Sequence, residues 1–145
     1  MTTQLNRLKI QRKQNKMARI IARKNFQKIR QGTSLVKQLG LQTIAERRDY
    51  FLSKLTFESI LGLAPDYLSG RIVMRADIHP HDTRSSSRSD VHPPKVNKEI
   101  YRRSLEYSGA IAFNSLPSQL KECTSLDSFK YQYRRHFSIG NHQPA

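Results

Sequence analysis

A chain of 145 residues with a formal charge of +15, 26% charged and 37% hydrophobic residues, makes one domain at most, with a modest core and much exposed surface. No run of about 18 apolar residues is available to span a membrane, the basic start lacks the apolar stretch of a secretory signal, and the single Cys123 excludes an internal disulfide and suits a reducing intracellular compartment, nuclear or cytoplasmic. Residues 1–45 hold eleven Lys or Arg and no acid, since all eleven Asp and Glu lie at Glu46 or later, which points to a polyanionic partner, nucleic acid ahead of membrane.

Residues 4–30 contain neither Gly nor Pro and are rich in Gln, Lys, Arg, Ile and Ala, so a long basic helix is expected within segment 1–31. At about 100° per residue, Arg12, Lys16, Arg19, Arg23 and Arg30 share one narrow face, while Ile10, Met17 and Ile21 lie opposite and are expected to pack inward. From Arg12 to Arg23 the face is about 17 Å long, enough to follow several phosphates. The plainer reading of such a face is ordinary solvation; the absence of acids weighs against it, because a merely solvated face mixes signs.

Segment 33–74 is expected to be the helical core. Leu35, Val36 and Leu39 form a short turn closed by Gly40. Thr43 and Glu46 then make a capping-box pair at the start of a longer helix, with Ile44, Phe51, Leu55 and Ile60 read as its apolar side and Arg47, Arg48 and Lys54 facing out. Gly62 stops this helix, and Ala64-Pro65 starts a short helical turn through Asp66, Tyr67 and Leu68. Ile72-Val73-Met74 is too short for periodicity to separate a strand from the end of a helix.

Residues 75–99 read as a long polar loop, interrupted by Pro80, Pro93 and Pro94 and containing RSSSRSD at Arg84 to Asp90. A Ser/Arg stretch can touch RNA backbone, although a solvated linker is the simpler account. His79, His81 and His92 do not suggest zinc, since the only cysteine is distant and a second ligand pair is missing.

Order returns over 100–139, before a tail at 140–145. Tyr107, Ala110, Ile111 and Phe113 line a helix in which Gly109 admits a close neighbour, and Asn114-Ser115-Leu116-Pro117 ends it. Ser125 caps a last helix whose Leu126, Phe129, Tyr133 and Phe137 repeat at core spacing, with Lys130, Arg134, Arg135 and His136 on the other side. Arg102 and Arg103 add a further basic pair. Tyr131 or Tyr133 could stack on a base, but aromatics at this spacing more often belong to a core. The fold class expected is therefore mainly α: a small irregular helical domain with a long basic N-terminal helix, a long loop and a C-terminal helix.

Two blocks carry a resemblance: Gly62-Leu63-Ala64-Pro65 with Tyr67-Leu68, and Arg103-Ser104, Tyr107-Ser108-Gly109-Ala110 and Asn114-Ser115-Leu116-Pro117, followed by Ser125 and Phe129-Lys130. In this order they resemble the region downstream of the polymerase in non-LTR (LINE-type) retrotransposon reverse transcriptases, and the likeness extends back through Ala18-Arg19-Ile20-Ile21. Phe113 stands where the family usually has tryptophan, which keeps an apolar ring and loses the indole donor. The resemblance implies a non-catalytic C-terminal region that binds RNA or DNA backbone and scaffolds the polymerase part of such an enzyme. The parent's chemistry needs paired aspartates holding two metals, and no two acids are adjacent in this sequence, so neither catalytic residues, a metal nor a cofactor are expected. Cys123 has Lys121 nearby but no local His, and reads as an ordinary thiol. The alternative is a protein-interaction or assembly module, or a relic reading frame, with no nucleic-acid role.

Overall fold

The computed structural model describes residues 2–22, 32–78 and 89–139. The readings made for Arg23, Arg30, His79, His81, positions 84–88 of the Ser/Arg stretch and the 140–145 tail lie outside these residues. The chain is mainly helical: α1 (Thr2–Ile21), α2 (Gly32–Gln38), α3 (Ile44–Ile60), α4 (Asp66–Ser69), α5 (Arg75–Ile78), a 3-10 turn (Tyr101–Arg103), a π-helical turn (Leu105–Gly109) running into α6 (Ala110–Asn114), α7 (Ser118–Lys121) and α8 (Leu126–Ile139). Contacts divide it into two units, Met1–Arg48 with Phe137–Ala145, and Asp49–His136.

In the first unit, Ala18 of α1 and Leu35 and Val36 of α2 form a small core flanked by Ala22 and Leu39. Gly40, at φ +69°, ends α2: its amide donates to the Lys37 carbonyl and that of Leu41 to Val36, so two terminal carbonyls are satisfied. The capping box at α3 forms as the sequence implies. The Thr43 amide donates to Glu46 Oε2 at 2.8 Å, and the Glu46 amide to Thr43 Oγ1 at 3.3 Å. Lys37 Nζ lies 3.3 Å from the same carboxylate. Partial burial pushes the Glu46 carboxyl up, but the Thr43 amide and hydroxyl and the Lys37 ammonium outweigh it, and the group titrates below its ordinary value of 4.5.

The second unit is built on aromatic rings. Phe57 of α3 stacks on Phe129 of α8 at 4.5 Å between centroids and on Phe113 of α6 at 6.4 Å, and Tyr133 meets Tyr50 edge-on at 4.9 Å. Val91, Ala110, Leu116 and Leu120 complete this core. The apolar side expected of α3 is not the one buried. Ser53, Thr56, Phe57 and Ser59 face inward, while Phe51 is 51% exposed and Ile44, Leu55 and Ile60 are half-buried. The reason is clearance. A Cβ on Gly109 would sit 2.5 Å from Thr56 Oγ1, so the two helices approach at a distance that only small residues permit. The hydroxyls of Thr56 and Ser59 donate to the Leu52 and Leu55 carbonyls, both at 2.9 Å, and so can be buried on that face.

Gly62, at φ +68°, stops α3, with its amide donating to Ser59 and that of Leu63 to Glu58, and Pro65 opens α4. The Ile72–Met74 ambiguity resolves as an isolated antiparallel bridge, Met74 to Val91, with Arg75 N–H donating to Asp90 at 2.9 Å and His92 N–H to Val73 at 2.7 Å. Residues 75–99 are therefore not one solvated loop. Residues 75–78 are helical and Val91 is fully buried. Asn114 acts as a surrogate strand for Val91, with its Oδ1 accepting from the Val91 amide and its Nδ2 donating to the Val91 carbonyl, each at 2.8 Å. Lys121, with a side chain 4% exposed, donates to Asp90 Oδ1 at 2.7 Å and to the Asn114 carbonyl at 2.9 Å. Side-chain hydrogen bonds thus fix what an isolated strand could not hold alone.

Candidate nucleic-acid interface

α1 is acid-free and lacks Gly and Pro, so helix propensity holds one rod against the repulsion among its like charges. It buries Ala18, with Gln11, Gln14, Asn15, Arg19 and Ala22 half-buried beside it. This corrects the expected inward face: Ile10, Met17 and Ile21 are 51%, 57% and 61% exposed. What the helix packs against explains the choice. Gln14 Nε2 donates to the Gln42 carbonyl at 2.7 Å, and Gln11 Oε1 accepts from the Ile44 amide at 3.0 Å while its Nε2 donates to Gln14 and Asn15. The residues between α2 and α3 offer peptide groups that need partners, and amide side chains satisfy them where isoleucine or methionine would bury them unpaired.

With that face turned in, the basic ridge moves. Arg12 and Lys16 are exposed as the sequence implies, but Arg19 is half-buried and engaged within the protein. Lys9 and Lys13 are exposed too, and with Lys16 they fall at i, i+4 and i+7, opposite Ala18. The centre of the solvent face is therefore Lys9–Lys13–Lys16 with Arg12 beside it. Sequence reasoning missed Lys9 and Lys13 because it oriented the helix by its isoleucines. The Gln11–Gln14–Ala18 stripe was the signal that would have found them.

The other basic residues belong to the second unit. Arg102 and Arg103 are exposed on the 3-10 turn, with Arg102 paired to Glu99 at 3.6 Å. On α8, Lys130 is half-buried and paired to Asp127 at 3.2 Å, whereas Arg134 and Arg135 are exposed. Lys130 and Arg134 lie one turn apart on that helix; Arg102 and Arg103 occupy a different element. Tyr133 belongs to the core at 4% exposed, and Tyr131 points to solvent at 66%.

Among the described residues, no three His, Cys, Asp or Glu side chains come together as a metal site would require, and His92 is exposed. Among the same residues no helix is long and apolar enough to cross a membrane. Comparison with protein-family models, with curated proteins and with solved structures found no match.

Proposed function

We propose that this chain is a non-catalytic nucleic-acid-binding region of the kind its sequence resembles, the part of a LINE-type reverse transcriptase that follows the polymerase, working inside the cell on RNA or DNA backbone and scaffolding the polymerase part. The observation that carries this reading is the solvent face of α1, where Lys9, Arg12, Lys13 and Lys16 are all exposed on a helix without a single acid. From Lys9 to Lys16 the ridge runs about 10 Å, the length of roughly three phosphates of one strand at about 3.4 Å each. Contacts of this kind position a backbone and do not read bases, so binding is sequence-tolerant.

Changing Lys9, Arg12, Lys13 and Lys16 together to Gln preserves helix propensity and removes four charges. Titrated against one fluorescent oligonucleotide at several salt concentrations, the variant should show a log–log salt slope smaller by about two to three units, at roughly 0.7 to 0.9 per phosphate for about three phosphates. Equal slopes would move the interface off α1. A second reading, an assembly module, draws on the exposure of Leu5, Leu8, Ile10, Met17 and Ile20 on the same helix. Apolar docking is insensitive to salt or strengthened by it, so affinity for a partner protein that rises with salt, without oligonucleotide binding, would favour that reading.

A further inference from the structure

After Val91 the chain runs without regular structure through Pro93, Pro94 and Asn97, then turns at Lys98–Ile100 into Tyr101–Arg103. Between this run and the start of the Leu105 helix lies an open cleft of about 400 Å³, lined by Pro94, Lys95, Asn97, Lys98, Tyr101 and Glu106 among others. Three features of its lining face solvent. The Tyr101 ring is in the open, the residue being 59% exposed. The ammonium groups of Lys95 and Lys98, both on exposed residues, make no ion pair among the described residues. Asn97, also exposed, offers an amide with both donors and an acceptor. The one acid, Glu106, is held by Arg71 Nη1 at 2.8 Å, which offsets its charge and brings a guanidinium to the rim.

We infer that this cleft seats one nucleotide unit of a single strand, with the base against the Tyr101 ring and the flanking phosphates at Lys95 and Lys98. An open aromatic face takes an unpaired base, because paired bases keep their faces stacked on one another. The volume falls within the range of small-ligand sites, roughly 300 to 1,000 Å³, and suits one such unit better than a larger cofactor. Asn97 is placed to donate to or accept from the base edge, a weak preference added to a tolerant stacking site. The inference rests on the nucleic-acid reading but uses residues of the second unit, none of them on α1, so the two can fail separately.

The test uses the full chain with a short fluorescent thymidine oligonucleotide, the same strand built with abasic sugars, and the four-Gln variant of α1 as a reference. Tyr101→Ala should weaken binding to the thymidine strand roughly 5- to 150-fold, the range for loss of one stacked base, while Tyr101→Phe keeps the affinity. On the abasic strand Tyr101→Ala and the parent chain should bind alike. Lys95→Gln with Lys98→Gln should lower the salt slope by about one to two units. Unchanged affinity of Tyr101→Ala for the thymidine strand overturns the cleft, and so does an equal loss on the abasic strand, which would assign the ring a role in the fold. If the α1 variant alone loses slope, the ridge stands and the cleft falls; if Tyr101→Ala alone loses affinity, the cleft stands and the ridge falls.

Discussion

Gly109 shows what a single missing carbon permits. Its backbone comes so close to α3 that an added Cβ would overlap Thr56 Oγ1 at 2.5 Å, and Thr56 is itself fully buried with its hydroxyl committed to Leu52. Neither side chain has room to move away. Gly109→Ala should therefore cost about 1 to 3 kcal/mol by overpacking. Thr56→Ala clears the space, so in the double variant much of the Gly109→Ala cost should vanish, with a coupling of about 1 kcal/mol or more in urea unfolding. Additive losses would mean that the helices separate to accommodate the methyl group. Lys121 illustrates the opposite case, a charge kept inside because Asp90 and the Asn114 carbonyl both accept hydrogen bonds from its ammonium.

Among the elements, α3 depends most on its ends. Its first turn is closed by Thr43, Glu46 and Gln11, and its last by Gly62. Because the folded Glu46 carboxyl titrates below 4.5, its contribution is complete above that value and is lost as the pH falls through the lower, folded value. The partly exposed pair with Lys37 makes this contribution modest. Glu46→Gln keeps an acceptor for the cap but removes the charge, so thermal unfolding followed from about pH 6 to pH 3 should fall less steeply for the variant than for the parent chain. Parallel curves would place the acid sensitivity in other carboxylates. The ends of the helices were legible in the sequence because their signals are local: Thr43 with Glu46, Gly40, Gly62, Pro65 and Ser125 each act within a few residues. The buried faces were not. α1 turns inward a stripe of Gln and Ala, and α3 one of Ser and Thr around the single Phe57, and a periodicity count that follows large apolar residues passes over both. Val91 escaped for a different reason, since its partner Asn114 lies 23 residues further on. Of the candidate interface, the absence of acids and the exposure of Arg12, Lys16, Arg134 and Arg135 could be read from the sequence; the displacement of the α1 ridge toward Lys9 and Lys13 was signalled only by the polar Gln11–Gln14–Ala18 stripe.

Across the whole chain, charge is sorted as well as abundant. Among the described residues Glu58 pairs with Lys54, Glu99 with Arg102, Glu106 with Arg71, Asp90 with Lys121 and Asp127 with Lys130, so these five acids of the second unit are matched to its own cations. α1 itself contains no acid, and its exposed Lys9, Arg12, Lys13 and Lys16 present their charge to solvent. The bridge between Met74 and Val91 has a consequence of another kind. It holds the two ends of an intervening stretch together by backbone hydrogen bonds on both sides, at 2.9 Å and 2.7 Å, and Asn114 and Lys121 secure the far end again. Closing a clamp of this kind around a longer stretch costs little, since closure entropy grows by only about 0.6 kcal/mol for each doubling of length. The fold should then accept a foreign peptide there, such as an epitope or a tether, grafted between Arg84 and Arg88, with a midpoint of urea unfolding close to that of the parent chain. A large loss would mean that the grafted stretch carries contacts of its own. If the midpoint holds, this site is a natural port through which chains of different length can be carried on one unchanged core.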